Sequence, residues 1–112
     1  MEVVPRYKFE QLVACALDDL PDELLPVLDN VVVQVHDRNP DEPELLGLYE
    51  GTPHTERSGD EVPDVVSIYR QPLCRMCANL DDLANEVYVT VIHEVAHAAG
   101  IDDERLHELG WA

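Results

Sequence analysis

The strongest hydrophobic pattern in the chain runs from about residue 80 to residue 99. Two adjacent apolar stripes repeat there at helical spacing: Leu83, Val87, Val91, Val95 and Ala99, and beside them Ala84, Tyr88, Ile92 and Ala96. This spacing predicts a long helix with a wide apolar face pressed into the core. Asn79 or Asp81 can cap its start, and Gly100 follows the last periodic residue as a left-handed stop.

Three shorter stretches read as β-strands. They are residues 30–37 (NVVVQVHD), 45–51 (LLGLYEG) and 64–70 (DVVSIYR), each rich in β-branched or apolar residues. Between the second and third strands, residues 52–63 (TPHTERSGDEVP) have the composition of a mobile connection. The strands therefore form one consecutive group in the middle of the chain.

Helices are predicted on both sides of these strands. Residues 7–20 carry apolar side chains at helical spacing, residues 21–30 predict a short helix limited by Pro26, and residues 102–109 predict a final short helix. Because strands and helices are segregated along the chain, the predicted class is α+β. A length of 112 residues fits one domain, spanning residues 1–112.

The net charge of the chain limits which kinds of molecule are expected to bind it. The chain has 24 acidic and 7 basic residues, which gives a formal charge of −17. Such a surface repels phosphate backbones and anionic lipids, so neither nucleic acid nor membrane is an expected partner. The N-terminus lacks the pattern of a secretion signal, and the three cysteines do not suggest a disulfide framework, so a cytoplasmic location is expected.

The candidate chemistry lies late in the long predicted helix, in the pattern H-E-x-x-H. His93 and His97 are four residues apart, so both imidazoles project from the same side of the helix and can converge on one metal ion. Glu94 is rotated by one step from His93. That position suits a carboxylate that takes a proton from a water molecule at the metal. The pattern predicts a zinc site with Glu94 as the general base.

A catalytic zinc normally has three protein ligands, so a third must follow His97. The stop at Gly100 would turn the chain back across the site, which favours Asp103 as the third ligand. Glu104 and His107 remain alternatives, whereas Asp102 is better suited to cap the last helix.

These residues resemble the zincin metallopeptidases. The stretch HEVAHAAGIDD has the form H-E-x-x-H-x-x-G-x-x-D, which puts Asp103 where metzincins carry their third histidine. Together with LLGLYEGTPHTERS (45–58) and PDVVSIYRQPL (63–73), it is similar to the small bacterial zincin-like metallopeptidases, the mini-zincins. The resemblance implies a minimal fold in which a three-stranded sheet packs on the active-site helix. It also implies His93, His97 and Asp103 as zinc ligands, with Glu94 as general base.

The sequence departs from the larger zincins. Both methionines, Met1 and Met76, precede the zinc motif, so no methionine turn follows the third ligand, and most of the usual substrate-binding half is missing. The expected function is zinc-dependent hydrolysis of a peptide or protein, with the substrate held along strand 45–51 or strand 64–70. The alternative is a zinc-binding or interaction module that hydrolyses little.

A third possibility rests on thiols. Cys74 and Cys77 form a C-x-x-C in a predicted loop before the long helix, which could support redox chemistry, although two ordinary thiols are the simpler interpretation. Cys15, within the first predicted helix, is expected to be a core residue.

Overall fold

The computed structural model describes residues 1–51 and 63–111. The connection predicted to be mobile therefore lies, apart from Pro63, outside the described residues. The described elements, in chain order, are α1 (Arg6–Asp18), a 3₁₀ helix (Asp22–Asn30), β1 (Val31–His36), β2 (Gly47–Glu50), β3 (Asp64–Tyr69), α2 (Arg70–Met76), α3 (Leu80–Ala98) and α4 (Asp103–Leu109). The predicted α+β class is confirmed.

The three strands form one mixed sheet with β3 at its centre. β1 pairs with β3 in parallel, with Val31 opposite Asp64, and β2 pairs with β3 antiparallel, with Gly47 opposite Ile68. Because β3 has a neighbour on each side, its backbone hydrogen bonds are used within the sheet. Within the described residues, β2 is an edge strand, and it also packs against α3.

The core lies between the sheet and the helices. Val66 and Ile68 of β3 are fully buried and belong to the same apolar cluster as Val87 and Val91 of α3 and Phe9 of α1. The long helix predicted from the apolar stripes is thus the central packing element. None of the helices in the described part of the chain is long and apolar enough to cross a membrane.

Both ends of α3 follow the predicted signals. Asn79 is the N-cap, and its side-chain oxygen accepts a hydrogen bond from the Asp82 N–H at 2.9 Å. Gly100 has a φ of 84°, and the Ile101 N–H donates to the Ala96 carbonyl at 2.9 Å. This pair of features is a Schellman stop, which turns the chain back after the last helical turn.

Two expectations were wrong: that the segment before α3 is a loop, and that Pro26 limits the short helix. The segment that contains Cys74 forms the short helix α2 instead of a loop. Pro72 is tolerated because it lies in the first turn, where no backbone N–H has a partner within the helix. The 3₁₀ helix also continues through Pro26 to Asn30, so this proline does not limit it.

Cys15 was wrongly expected in the core. The helix α1 buries Phe9, Val13 and Ala16, whereas Cys15 is exposed. One residue turns a helix by about 100°, so the position next to Ala16 falls outside the buried stripe.

We predict that Leu106 anchors the last helix, because it is fully buried in the core cluster while most of α4 is exposed. Leu106→Ala should lower the free energy of unfolding by about 2–5 kcal/mol, measured by urea denaturation. Leu25→Ala is the matched control, since Leu25 is 41% exposed, and should cost less than about 1 kcal/mol. Equal losses in the two variants would contradict the anchoring role.

Candidate metal centre

Three predicted site residues converge where α3 ends and α4 begins. The Nε2 atoms of His93 and His97 are 2.9 Å apart. Asp103 Oδ1 lies 3.4 Å from His93 Nε2 and 3.2 Å from His97 Nε2. Among the described residues, neither Glu104 nor His107 belongs to this group. The geometry thus favours Asp103 over the two alternatives that the sequence left open.

Local backbone structure carries Asp103 to the histidines. After the turn at Gly100, the side chain of Asp102 caps α4 by accepting a hydrogen bond from the Arg105 N–H at 2.9 Å. Asp103 is the first residue of α4, and Leu106, one turn further on, packs into the core. The carboxylate is thus positioned by a turn, a cap and an apolar anchor within seven residues, 100–106.

The hydrogen bond of His97 fixes which of its nitrogens is available. Its Nδ1 lies 3.1 Å from the Ile101 carbonyl oxygen. A carbonyl can only accept, so Nδ1 carries the proton, and in the neutral imidazole Nε2 keeps its lone pair. This is the arrangement in which a backbone acceptor orients a metal-binding histidine.

The three donor atoms suit a tetrahedral ion. Ligands bound to zinc at roughly 2.0–2.1 Å in tetrahedral geometry lie about 3.3 Å from one another. The observed separations of 2.9, 3.2 and 3.4 Å bracket that value. Two imidazoles and one carboxylate are also a common donor set for a zinc site with an open position. The residues therefore fit the metal that the sequence predicts.

Glu94 lies beside this group, partly buried against β2. Burial raises the pKa of its carboxyl group above the ordinary value, while the imidazoles of His93 and His97 pull the pKa down. A hydrogen bond with the backbone of Tyr49 also lowers the pKa. A carboxyl group held this way is a candidate for proton transfer at the site.

The edge of β2 reaches Glu94 because Gly47 has no side chain. The Tyr69 N–H donates to the Leu46 carbonyl at 3.0 Å, and antiparallel bonding alternates, so the backbone groups of Gly47 point away from β3. A Cβ atom on Gly47 would lie 2.8 Å from Thr90 Cγ2 and 3.0 Å from Glu94 Cγ. Nothing in the sequence pattern singled out Gly47, because its role depends on a contact distant along the chain.

A cleft opens between this edge and His93. It has a volume of about 350 Å³ and is lined by residues 44–47 together with Thr90, His93 and Glu94 of α3. Thr90 is largely buried, and its hydroxyl donates to the Glu86 carbonyl at 2.8 Å. The cleft thus brings the candidate base, one candidate metal ligand and a strand edge together.

The two central thiols lie away from this chemistry. Cys74 and Cys77 are buried in the core cluster. Burial raises the pKa of the Cys77 thiol, and the carboxylates of Asp82 and Glu86 raise it further. Reactive thiols have lowered pKa values and partial exposure, so this setting disfavours the redox interpretation of the pair.

Comparison with known proteins identifies the family. The sequence model of the zincin-like metallopeptidase family matches residues 28–111, which is most of the chain, and the protein belongs to this family. A conserved hypothetical protein from T. thermophilus has a similar structure, with a TM-score of 0.60 and 21% sequence identity over 86% of this chain and 94% of that one. At that identity the likeness concerns the fold alone. No curated protein sequence matches this chain.

We predict that Gly47→Ala damages the contact between β2 and α3. The added methyl group meets Thr90 Cγ2 and Glu94 Cγ at or below the closest ordinary distances, so the free energy of unfolding should fall by about 1–3 kcal/mol. Urea denaturation measures the change.

The control for Gly47→Ala is the same substitution in a protein that lacks the Thr90 methyl group. Thr90→Ser deletes the methyl group nearest to the new Cβ, so Gly47→Ala should cost less stability in a Thr90→Ser background than alone. Strictly additive losses, or a fully stable Gly47→Ala protein, would show that the close approach does not constrain the fold.

Proposed function

We propose that this protein is a zinc-dependent peptidase. The observation that supports it best is the convergence of His93, His97 and Asp103 beside the carboxyl group of Glu94, at the edge of a strand. Membership of the zincin-like metallopeptidase family points to the same chemistry.

In this proposal the metal would act as a Lewis acid and Glu94 acts as the general base. His93, His97 and Asp103 would hold the zinc, which would supply a Lewis acid for the scissile carbonyl and for water at the site. Glu94 accepts a proton from the attacking water and returns it to the departing amine. Its half-buried position next to His93 suits both steps, because the group lies beside the three candidate ligands without being one of them.

The peptide is held along β2. Of the two strands that the sequence left open, β3 is paired on both sides, whereas β2 is an edge strand facing the cleft. Peptides bind such edges by adding a strand, so that main-chain hydrogen bonds supply affinity and pockets supply specificity. Gly47, whose backbone groups face the cleft, is where the peptide would pass closest to Glu94.

The strongly negative net charge leads to expectations about the binding partners of the protein. A peptide or protein substrate remains the predicted partner, with neither nucleic acid nor membrane expected for a chain of charge −17. The cytoplasmic location also stays a prediction.

One observation favours a second candidate, a zinc-binding module without efficient hydrolysis. The side chain of Asp103 is 74% exposed, so one side of the site is open to solvent. Transition-state stabilisation by fixed charges is strongest where water is excluded. The same ligands could therefore hold zinc without supporting fast turnover.

The ligand set is tested by metal affinity. Asp103→Ala should weaken zinc binding by more than about 100-fold, because it removes a direct ligand, whereas loss of an outer partner typically costs about 10–100-fold. Competition with a chromophoric chelator measures the affinity. Glu104→Ala and His107→Ala are matched controls, expected to bind zinc as the unaltered protein does. If zinc affinity fell in Glu104→Ala or His107→Ala but not in Asp103→Ala, the residue replaced in that control would be the third ligand instead.

Hydrolysis is tested separately with Glu94→Gln. This variant keeps size and packing but cannot accept a proton, so it should bind one zinc per chain and lose about 10²–10⁴-fold in kcat. Cleavage of a peptide library, read by mass spectrometry, is the measurement. Zinc binding with no cleavage by the unaltered protein would favour the second candidate instead.

A further inference from the structure

A second, larger pocket lies beside the cleft at the candidate metal centre. This pocket has a volume of about 610 Å³ and lies between the segment before β2 and the helix α2. Its lining residues are Pro43, Glu44, Leu46, Pro72, Arg75 and Met76. Glu44 and Leu46 line both cavities, so the pocket lies directly beside the cleft.

We propose that this second pocket, the α2 pocket, binds one large apolar side chain of a peptide substrate. The proposal rests on the peptidase function above and names the substrate class that the site prefers. The occupant is a peptide lying along β2, with a residue such as leucine, methionine or phenylalanine placed toward α2.

The walls of the α2 pocket suit an apolar occupant. Leu46, Pro72 and Pro43 supply aliphatic surface, and Met76 is 52% exposed although it is a large apolar residue at the end of a helix. A flexible, polarisable methionine adapts to side chains of different shape. Covering this surface with an apolar group would remove it from water, which is the usual source of affinity in such pockets.

The charged residues Arg75 and Glu44 complete the rim of the pocket. Both are exposed, and within the described residues no ion pair joins them. A pair held together across the opening would close the pocket, whereas two separate hydrated groups leave it open. An apolar floor with a polar rim is the usual arrangement of a specificity pocket.

The pocket also lies within reach of the reacting bond. Leu46 directly precedes Gly47, the residue whose backbone approaches Glu94. An extended peptide advances about 3.3 Å per residue, so a peptide along β2 passes the pocket within a few residues of the cleft. The apolar preference should therefore appear at one fixed position relative to the cleaved bond.

Another cavity of the protein does not border the cleft. It has a volume of about 550 Å³ on the outer face of the sheet, with polar residues such as Gln34, His36 and Arg38 in its lining. It shares no lining residue with the cleft. A third cavity, lined by residues 42–45, shares Glu44 and Leu45 with the cleft but is not lined by Met76. An apolar preference that depends on Met76 therefore points to the α2 pocket.

Binding to the zinc-loaded Glu94→Gln protein tests the proposal without requiring turnover. The probes are fluorescently labelled ten-residue peptides of serine and alanine in which one leucine is moved position by position. Fluorescence anisotropy should show binding at least about tenfold tighter for leucine at one position than for alanine there, the effect expected of burying such a side chain.

A pair of variants locates the preference. Met76→Glu in the Glu94→Gln protein should abolish the advantage of leucine, whereas Met76→Leu should keep it. Leu80→Glu is the matched control, because Leu80 is also an exposed apolar residue, 46% exposed, but does not line the pocket. It adds the same charge and should leave the preference unchanged.

The outcomes separate this proposal from the proposed hydrolysis. Equal binding of all the peptides, no binding of any, or a leucine preference that survives Met76→Glu would overturn the α2 pocket as a specificity site. A leucine preference that depends on Met76, together with no cleavage by the unaltered protein, would support the pocket and count against hydrolysis.

Discussion

The burial of α3 is the constraint on which the rest of the structure depends. Leu83, Val87, Val91 and Val95 are fully buried against β3 and α1, so the rotation of this helix about its own axis is fixed by the core. Because side chains on a helix keep fixed angles to one another, the same packing directs His93 and His97 toward α4. One helix therefore supplies both the centre of the core and two of the three candidate metal ligands.

The parts of the site that could be predicted from the sequence are those set by local geometry. The four-residue spacing of His93 and His97, the stop at Gly100 and the cap at Asp102 all act within about one or two helical turns, and each has a recognisable residue type. The position of Asp103 follows from them. The same reasoning predicted the strands and the long helix to within a few residues.

The parts that could not be predicted depend on contacts between distant segments. Gly47 matters because β2 packs against Thr90 and Glu94, some 43–47 residues later, and no periodicity records which strand will lie there. The helix α2 was missed because its residues were assigned to a loop before the long helix. Pro72 does not prevent this helix, since a proline in a first helical turn costs little. Cys15 was expected in the core, but it lies one residue from the buried stripe of α1 and is exposed.

Whether the proposed site hydrolyses peptides or only binds a metal depends on how well water is excluded from it. Glu94 is partly withdrawn from solvent by β2, and burial raises its pKa, whereas the carboxylate of Asp103 on the other side of the site is mostly exposed. A bound peptide would change this asymmetry, since a chain added to the edge of β2 covers the cleft and displaces its water. In the proposed peptidase, substrate binding would then complete the low-dielectric environment around Glu94.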